Sequence, residues 1–384
     1  MADKDRKVPE SEFIADNTMA GGPMPQAMVT EGNEIPKNDG KPQSGGPKRK
    51  VDQTYWSLVR HQYKKNKLAV AALYVVFFLV AMALTADFVA NDKPLYCNYK
   101  GTTYFPVIKE YMVDMGLSKW EGEFLNVDWK TLTFETAIWP PIKFAPSNVD
   151  LFNNSAPPSI ETGHYLGTDA IGRDVLSGLI HGSRVSLLVG FVAAGIAITI
   201  GVLLGSIAGY YGGKVDLVIM RFVEIMQLFP SFFLIITIVA LYGSSIWYIM
   251  IAIGLTSWTG NTKLVRGEIL KVRSMDYVQA AVSLGLSNVR IIFRHVLPNS
   301  IAPVLIAASF EIAGAILSEA GLSFLGFGVA ATKVTWGSVL SEARGATSSW
   351  WLAVFPGFMI FLTVVAYNLV GEGLRDALDP RLRD

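Results

Sequence analysis

The sequence predicts an all-α membrane protein of six transmembrane helices, with one large polar insertion on the outer side and one polar, basic loop on the inner side. Three observations carry this reading. The chain is 51% hydrophobic and only 17% charged, where a soluble domain carries about 25% charged residues. Its mean hydropathy is +0.36. Its apolar runs are of membrane length and are separated by polar stretches whose bases fall in alternate loops, the asymmetry that orients membrane helices. The same composition excludes other classes. A net charge of +1 gives no field to steer nucleic acid. One cysteine, Cys97, excludes an internal disulfide and a cysteine-based zinc site. The histidines His61, His164, His181 and His295 form no i, i+4 pair, so no metal site is expected. No G-x-x-x-x-G-K-[ST] segment supplies a phosphate cradle, so this chain is not expected to hydrolyse nucleotide.

In chain order, residues 1–50 are rich in Gly, Pro and charge and poor in aromatics. They cannot bury enough apolar area to offset ordering entropy, and a disordered tail is expected. Residues 51–90 form an interfacial helix, with Tyr55, Trp56, Arg60, Tyr63, Lys64 and Lys65, leading into a first span at Leu68–Ala90. The bases before that span place the N-terminus inside. Residues 91–183 read as an extracytoplasmic insertion. Near its end, Thr168 or Asp169 is expected to cap the following helix, with Asp174 in its early turns. The core, 184–372, holds five more spans. The second, Val185–Gly209, carries Gly190, Gly195, Gly201 and Gly205 for close helix packing. The third, Leu217–Leu241, is kinked by Pro230. A short fourth runs from Ser245 to about Gly260. The loop 261–298 follows, with bases in excess over acids, and is inside. The fifth span is Ile301–Phe327, residues 328–349 return outside, and the sixth is Trp350–Val370, interrupted by Pro356. Trp336, Trp350 and Trp351 are expected at the membrane interface. The tail 373–384 is inside, so both termini are cytoplasmic.

The loop Tyr277–Asn299 organises the rest. It is helix-friendly and basic between two apolar runs, so it sits in water beside the bilayer. Ala280, Ala281 and Gly285 offer a small-residue face for another protein, and Gly285 can end a helix in a left-handed conformation. A second amphipathic turn follows, with Val289, Ile292, Phe293 and Val296, which Pro298 is expected to close.

The spacing Gln279-Ala280-Ala281, Gly285, Leu297-Pro298 resembles the EAA loop of the membrane subunits of ABC importers, with Gln in place of the usual Glu. The outer motif Gly167-Thr168-Asp169, Gly172-Arg173-Asp174 resembles the C-type permeases for dipeptides, oligopeptides and nickel, as do SEAGLSFLGFG and NLVGEGLRDALDPRLR. The likeness runs from about residue 56 to the end. It implies the type I ABC importer permease fold with a cytoplasmic coupling helix. It implies a transmembrane permease subunit of an ATP-driven importer in a bacterial or archaeal cytoplasmic membrane, with di- or oligopeptides as cargo and nickel or another small solute as the alternative. The implied partners are a B-type permease subunit forming a heterodimer, two ABC ATPase subunits that hold ATP and Mg, and an extracytoplasmic solute-binding protein, besides membrane lipid. No cofactor and no nucleic acid is expected on this chain. The ATPase-docking residues carried over are Asp276, Tyr277, Gln279, Ala280, Ala281, Leu284, Gly285, Arg294, His295, Leu297 and Pro298.

Three acids stand in or near apolar spans. A charge at a helix centre costs about 2.5–3.5 kcal/mol on insertion scales, so each needs a partner or a wet cavity. Glu224 lies three residues from Arg221, so pairing and pathway lining are both open. Glu311 and Glu319 are eight apart on one helix face, either lining a translocation path or tying helices together. An ion-coupled secondary transporter would also suit broken spans and buried acids, but no inverted repeat is visible and that reading gives the inner loop no task. No nucleophile–base arrangement is present, so no catalysis by this chain is expected.

Overall fold

The computed structural model describes residues 55–125, 127–329, 333–346 and 348–379. The expected tail over 1–50 and the last residues of the tail 373–384 lie outside them. In chain order the elements are α1 (Tyr55–Lys65), α2 (Lys67–Leu84), α3 (Ala86–Val89), β1 (Tyr96–Tyr99), β2 (Thr102–Tyr104), α4 (Pro106–Asp114), β3 (Thr136–Ile138), α5 (Val175–Tyr211), α6 (Gly213–Leu228), α7 (Ser231–Tyr242), α8 (Ile246–Arg273), α9 (Asp276–Ser283), α10 (Asn288–Ile291), α11 (Leu297–Phe324), α12 (Trp336–Glu342) and α13 (Trp351–Leu378).

Among the described residues, four helical stretches are long and apolar enough to cross a membrane: 67–84, 175–211, 288–324 and 351–378; counting the bent pair α6–α7 as one span makes five. The 28 residues of α8 would reach about 42 Å at 1.5 Å per residue, but α8 is less apolar than the others.

Two packed helix pairs fix the direction of the rods. Glycines of α5 meet α8 in rising order. A Cβ at Gly201 would lie 2.4 Å from Asn261 Cβ, at Gly205 2.7 Å from Val265 Cβ, and at Gly209 2.8 Å from Ile269 Cβ. The two helices are therefore parallel, and α6–α7 must carry the chain back the full length between them. A Cβ at Gly190 would lie 2.7 Å from Ile316 Cγ1, near the far end of α11, so α11 runs antiparallel to α5. Gly195, by contrast, faces open space, so it plays no part in this seam.

Several expected boundaries move. The first span ends at Leu84, where the Thr85 hydroxyl bonds Ala81 O at 2.8 Å and the short α3 begins. The second begins ten residues earlier, directly after the outer motif, with Asp174 as its N-cap. The third breaks outright: Pro230 starts α7 at 78° to α6, since proline has no N–H for the helix ladder. The fourth continues to Arg273, because Asn261 and Thr262 are buried against the bare glycine backbone of α5 rather than facing solvent. The sixth runs on to Leu378 with Pro356 inside it, and its Gly371 and Gly373 admit Ser309 and Ala69 into close contact. Trp336 and Trp351 are not interface anchors. Both are buried, with their indole N–H groups donating to Leu179 O and Thr168 O at 2.9 Å; Trp350 is exposed.

The insertion is a small aromatic unit. A three-stranded antiparallel sheet in the order β2-β1-β3 covers Cys97, Phe124 and Trp129, around which Tyr99, Tyr104, Trp120 and Phe134 gather. Phe124 and Trp129 stack with centroids 4.8 Å apart. Rigid rings at that density make a core from very few residues.

Candidate functional site

The inner loop is built from three helix ends. Met275 precedes α9, and α9 ends at Leu284 in a Schellman arrangement: Gly285 N–H donates to Val282 O at 2.9 Å and Leu286 N–H to Ala281 O at 3.3 Å. Gly285 takes φ +73°, with nothing within 4 Å of where a Cβ would stand. This is the helix stop expected from its lack of a side chain. The inward face of α9, Val278 and Ala281, packs with Tyr210 of α5, Val265, Ile269 and Val272 of α8, and Val304 of α11. The Tyr210 hydroxyl donates to Asn288 Oδ1 at 3.1 Å. Its outward face is bare: Tyr277, Val282 and Leu284 are exposed, Leu284 to 80%, and Val289 and Phe293 continue the apolar surface.

Pro298 does not end the second turn. The helix runs on from Asn288 into α11 through a π-helical stretch at Ile292–Val296, in which Leu297 N–H donates to Ile292 O. Proline removes the donor for the carbonyl four residues back and crowds it, and widening the turn relieves both demands. Ala281 is buried, so only Ala280 and Gly285 of the small-residue face are open. Of the other residues carried over from the resemblance, Asp276, Tyr277, Gln279, Arg294 and Pro298 are exposed, whereas His295 and Leu297 are half-buried. Gln279 donates through Nε2 to Arg273 O at 3.0 Å. It closes the carbonyl end of α8, a bond that an ionised Glu has no proton to make.

The outer motif is a structural knot. Asp174, not Thr168 or Asp169, caps α5, accepting from Ser177 N–H at 2.7 Å. Asp169 instead folds its own loop, accepting from Ile171 N–H at 3.0 Å and Arg173 N–H at 2.8 Å. Arg173 reaches Glu342 of α12 at 3.0 Å. Gly167 and Gly172 both have positive φ, and a Cβ on Gly172 would lie 2.0 Å from Asp150 O. Below them His164 is fully buried, with Nδ1 2.9 Å from Asp174 Oδ2 and Nε2 3.4 Å from Asp150 Oδ2. Its ring stacks on Phe144 at 4.2 Å. Burial raises the Asp174 carboxyl, and the Asn153 amide holds Asp150 below the usual carboxylate range.

The three acids part company. Glu224 is exposed and takes a 2.7 Å bond from Arg221. Glu311 is half-buried, 3.5 Å from the Asn261 amide. Glu319 is fully buried, and its Oε1 accepts from the Ser323 and Thr335 hydroxyls at 2.6 and 2.8 Å. Nothing in the sequence pointed to the Arg266–Asp216 pair, which ties α8 to α6 across fifty positions, with Nη2 2.6 Å from Oδ2. Nor did it single out His164 with Asp150 and Asp174.

Residues 201–384 match the model of the family described as binding-protein-dependent transport system inner membrane component, and residues 54–105 match the N-terminal TM domain of oligopeptide transport permease C. The chain is 35% identical over 332 residues to the oligopeptide transport system permease protein OppC of Haemophilus influenzae, covering 86% of this chain and 90% of that one. It is 33% identical to the inner membrane ABC transporter permease protein YejE of Escherichia coli, covering 86% and 97%. It is 32% identical to the dipeptide transport system permease protein DppC of Bacillus subtilis, covering 83% and 84%. Among solved structures, a chain of the MetNI methionine ABC transporter in an inward-facing form is similar over 52% of this chain and 96% of its own, at 14% identity and a TM-score of 0.45.

Proposed function

The chain belongs to the binding-protein-dependent transport system inner membrane components, as a C-type permease of the oligopeptide and dipeptide ABC importers, and from that premise we propose that the segment Asp276–Pro298 is where separate ATPase subunits drive it. The protein is a peptide importer permease, a multi-pass protein of the inner membrane and a transporter rather than an enzyme. A B-type permease completes the path, two ATPases holding ATP and Mg lie on the loop side, and a solute-binding protein delivers peptide on the side of the insertion. Six crossings, with α6–α7 as one of them, put both described ends in the cytoplasm.

One observation supports the drive reading above all. The inward face of α9 shares a single packed cluster with the ends of α5, α8 and α11, while its outward face is exposed and carries Tyr277 and Val282, with Leu284 at its end, among polar Asp276, Gln279 and Ser283. Close-packed cores deform little. A partner that grips the outward face and shifts therefore moves three helix ends together, as a rigid body. Gln279 keeps α9 tied to α8 during that motion, through the Arg273 carbonyl.

The test is copurification of the assembled complex through a tag on this chain. Gly285→Ala meets no neighbour and bears only the left-handed backbone cost, about 1–2 kcal/mol; it is expected to retain the ATPases. Gly285→Trp adds bulk on the outward side and is expected to lower their retention roughly tenfold, about 1.4 kcal/mol of binding. Equal retention of ATPases and equal peptide uptake by both variants would remove the loop as the docking point.

A further inference from the structure

The insertion carries an apolar surface that the import cycle leaves without a task. On α4 and its C-cap, Ile108, Met112 and Met115 recur at i, i+4 and i+7 and are exposed to 49%, 42% and 65%. Phe105, Tyr111 and Leu117 extend the same side and are exposed as well. The opposite side of α4 faces inward, where Pro106 and Val107 are buried. Of the charges on α4, Lys109 meets Glu121 at 3.0 Å and Glu110 pairs with Lys93, while Asp114 is exposed but lines the same cleft as Val107 and Glu110, off the Ile108 side.

This surface is continuous with the outward face of α2. Along α2, Ala69, Ala72, Leu79 and Ala83 are buried against the bundle, while Tyr74, Phe77, Phe78 and Leu84 face out, each at least 60% exposed. That inverted distribution, with small residues in and large aromatics out, is what hydrocarbon solvent selects. Just beyond the end of α2, Phe88 stacks on Tyr111 with centroids 6.5 Å apart at 29°, and the Tyr111 hydroxyl bonds Asp87. The stack and that bond seat α4 at the outer end of the lipid-facing stripe.

We infer that α4 is an interfacial anchor lying on the outer leaflet, its Ile108–Met112–Met115 face inserted at the level of the lipid headgroups. Helices of this kind bury their apolar face about 5–10 Å into the boundary between headgroups and acyl chains. Lipid is favoured over a protein partner because the Ile108–Met112–Met115 side carries no charge and adjoins the lipid-facing stripe of α2 through the Phe88–Tyr111 stack. The anchor would hold the insertion at a fixed height over the bundle. The inference needs α2 to cross the membrane and is independent of cargo and of the ATPase-docking reading.

The test uses the full chain in lipid nanodiscs, alone and in its assembled complex, with an environment-sensitive fluorophore on Met112→Cys, Met115→Cys or, at the hairpin tip, Lys100→Cys. Cys97 is buried and stays in place. With shallow nitroxide-labelled phospholipid, the probes at 112 and 115 are expected to lose fluorescence and to be shielded from aqueous iodide, in both preparations. The probe at 100 is expected to behave oppositely. Quenching of 112 and 115 by iodide and not by the nitroxide lipid would overturn the anchor. So would shielding from both quenchers that appears only when the partner subunits are present, which would assign the patch to a protein interface.

Discussion

At the scale of single residues, positions that look alike in sequence have unlike jobs. Gly172 and Gly285 both adopt positive φ, yet one is wedged against Asp150 O and the other stands in the open. The first holds the outer knot; the second ends α9. Cys97 shows the same dependence on surroundings. It lies at 0% exposure in the aromatic unit, and burial pushes its thiol up to about 11. The reactive form is the thiolate, so at neutral pH the native protein is expected to resist maleimide over hours. Labelling should appear in step with loss of the aromatic unit as denaturant is raised, read by mass spectrometry. Rapid stoichiometric labelling of the native protein would contradict the packing described for β1.

At the scale of elements, the α5–α8 seam decides the architecture. Close approach depends on which glycines face the partner, and the helix period leaves Gly195 off that face. Gly201→Ala places a methyl 2.4 Å from Asn261 Cβ, and overpacking of that kind costs about 1–3 kcal/mol. Gly195→Ala meets nothing and gains up to about 1 kcal/mol of helix propensity. Thermal unfolding in detergent is expected to move down for the first and to hold or rise for the second. Equal shifts would mean that the two helices do not pack through this face. The broken pair α6–α7 was legible as a proline near mid-span, but its 78° bend was not, because a proline states that a ladder bond is lost and not how far neighbours let the chain swing.

At the scale of the whole molecule, Val59 of α1 packs with Ala377 and Leu378 of α13, with Ala302 and Ile306 of α11 alongside. The described ends therefore sit together on the side of the inner loop, opposite the insertion. Reporter insertions are expected to show Lys100 on the outer side and the C-terminal end on the cytoplasmic side. Opposite results at both positions would invert the molecule and leave no route for a cytoplasmic ATPase to α9.

The sequence by itself determined the class of protein, the approximate spans, the helix stop at Gly285 and the motif spacings that pointed to the family. These follow from composition, run length and local conformational preference, which short windows of residues contain. Only the tertiary structure decided that α8 continues past Gly260, that Pro298 is absorbed in a π turn, that Trp336 and Trp351 are internal pegs, and that Glu319 is sealed by Ser323 and Thr335. Each of those depends on what a distant part of the chain places opposite the residue: bare glycine backbone beside Asn261, a carbonyl above an indole, a hydroxyl from sixteen positions away. Local sequence is silent on such partners, because the energy of a buried polar group is set by the neighbour that satisfies it.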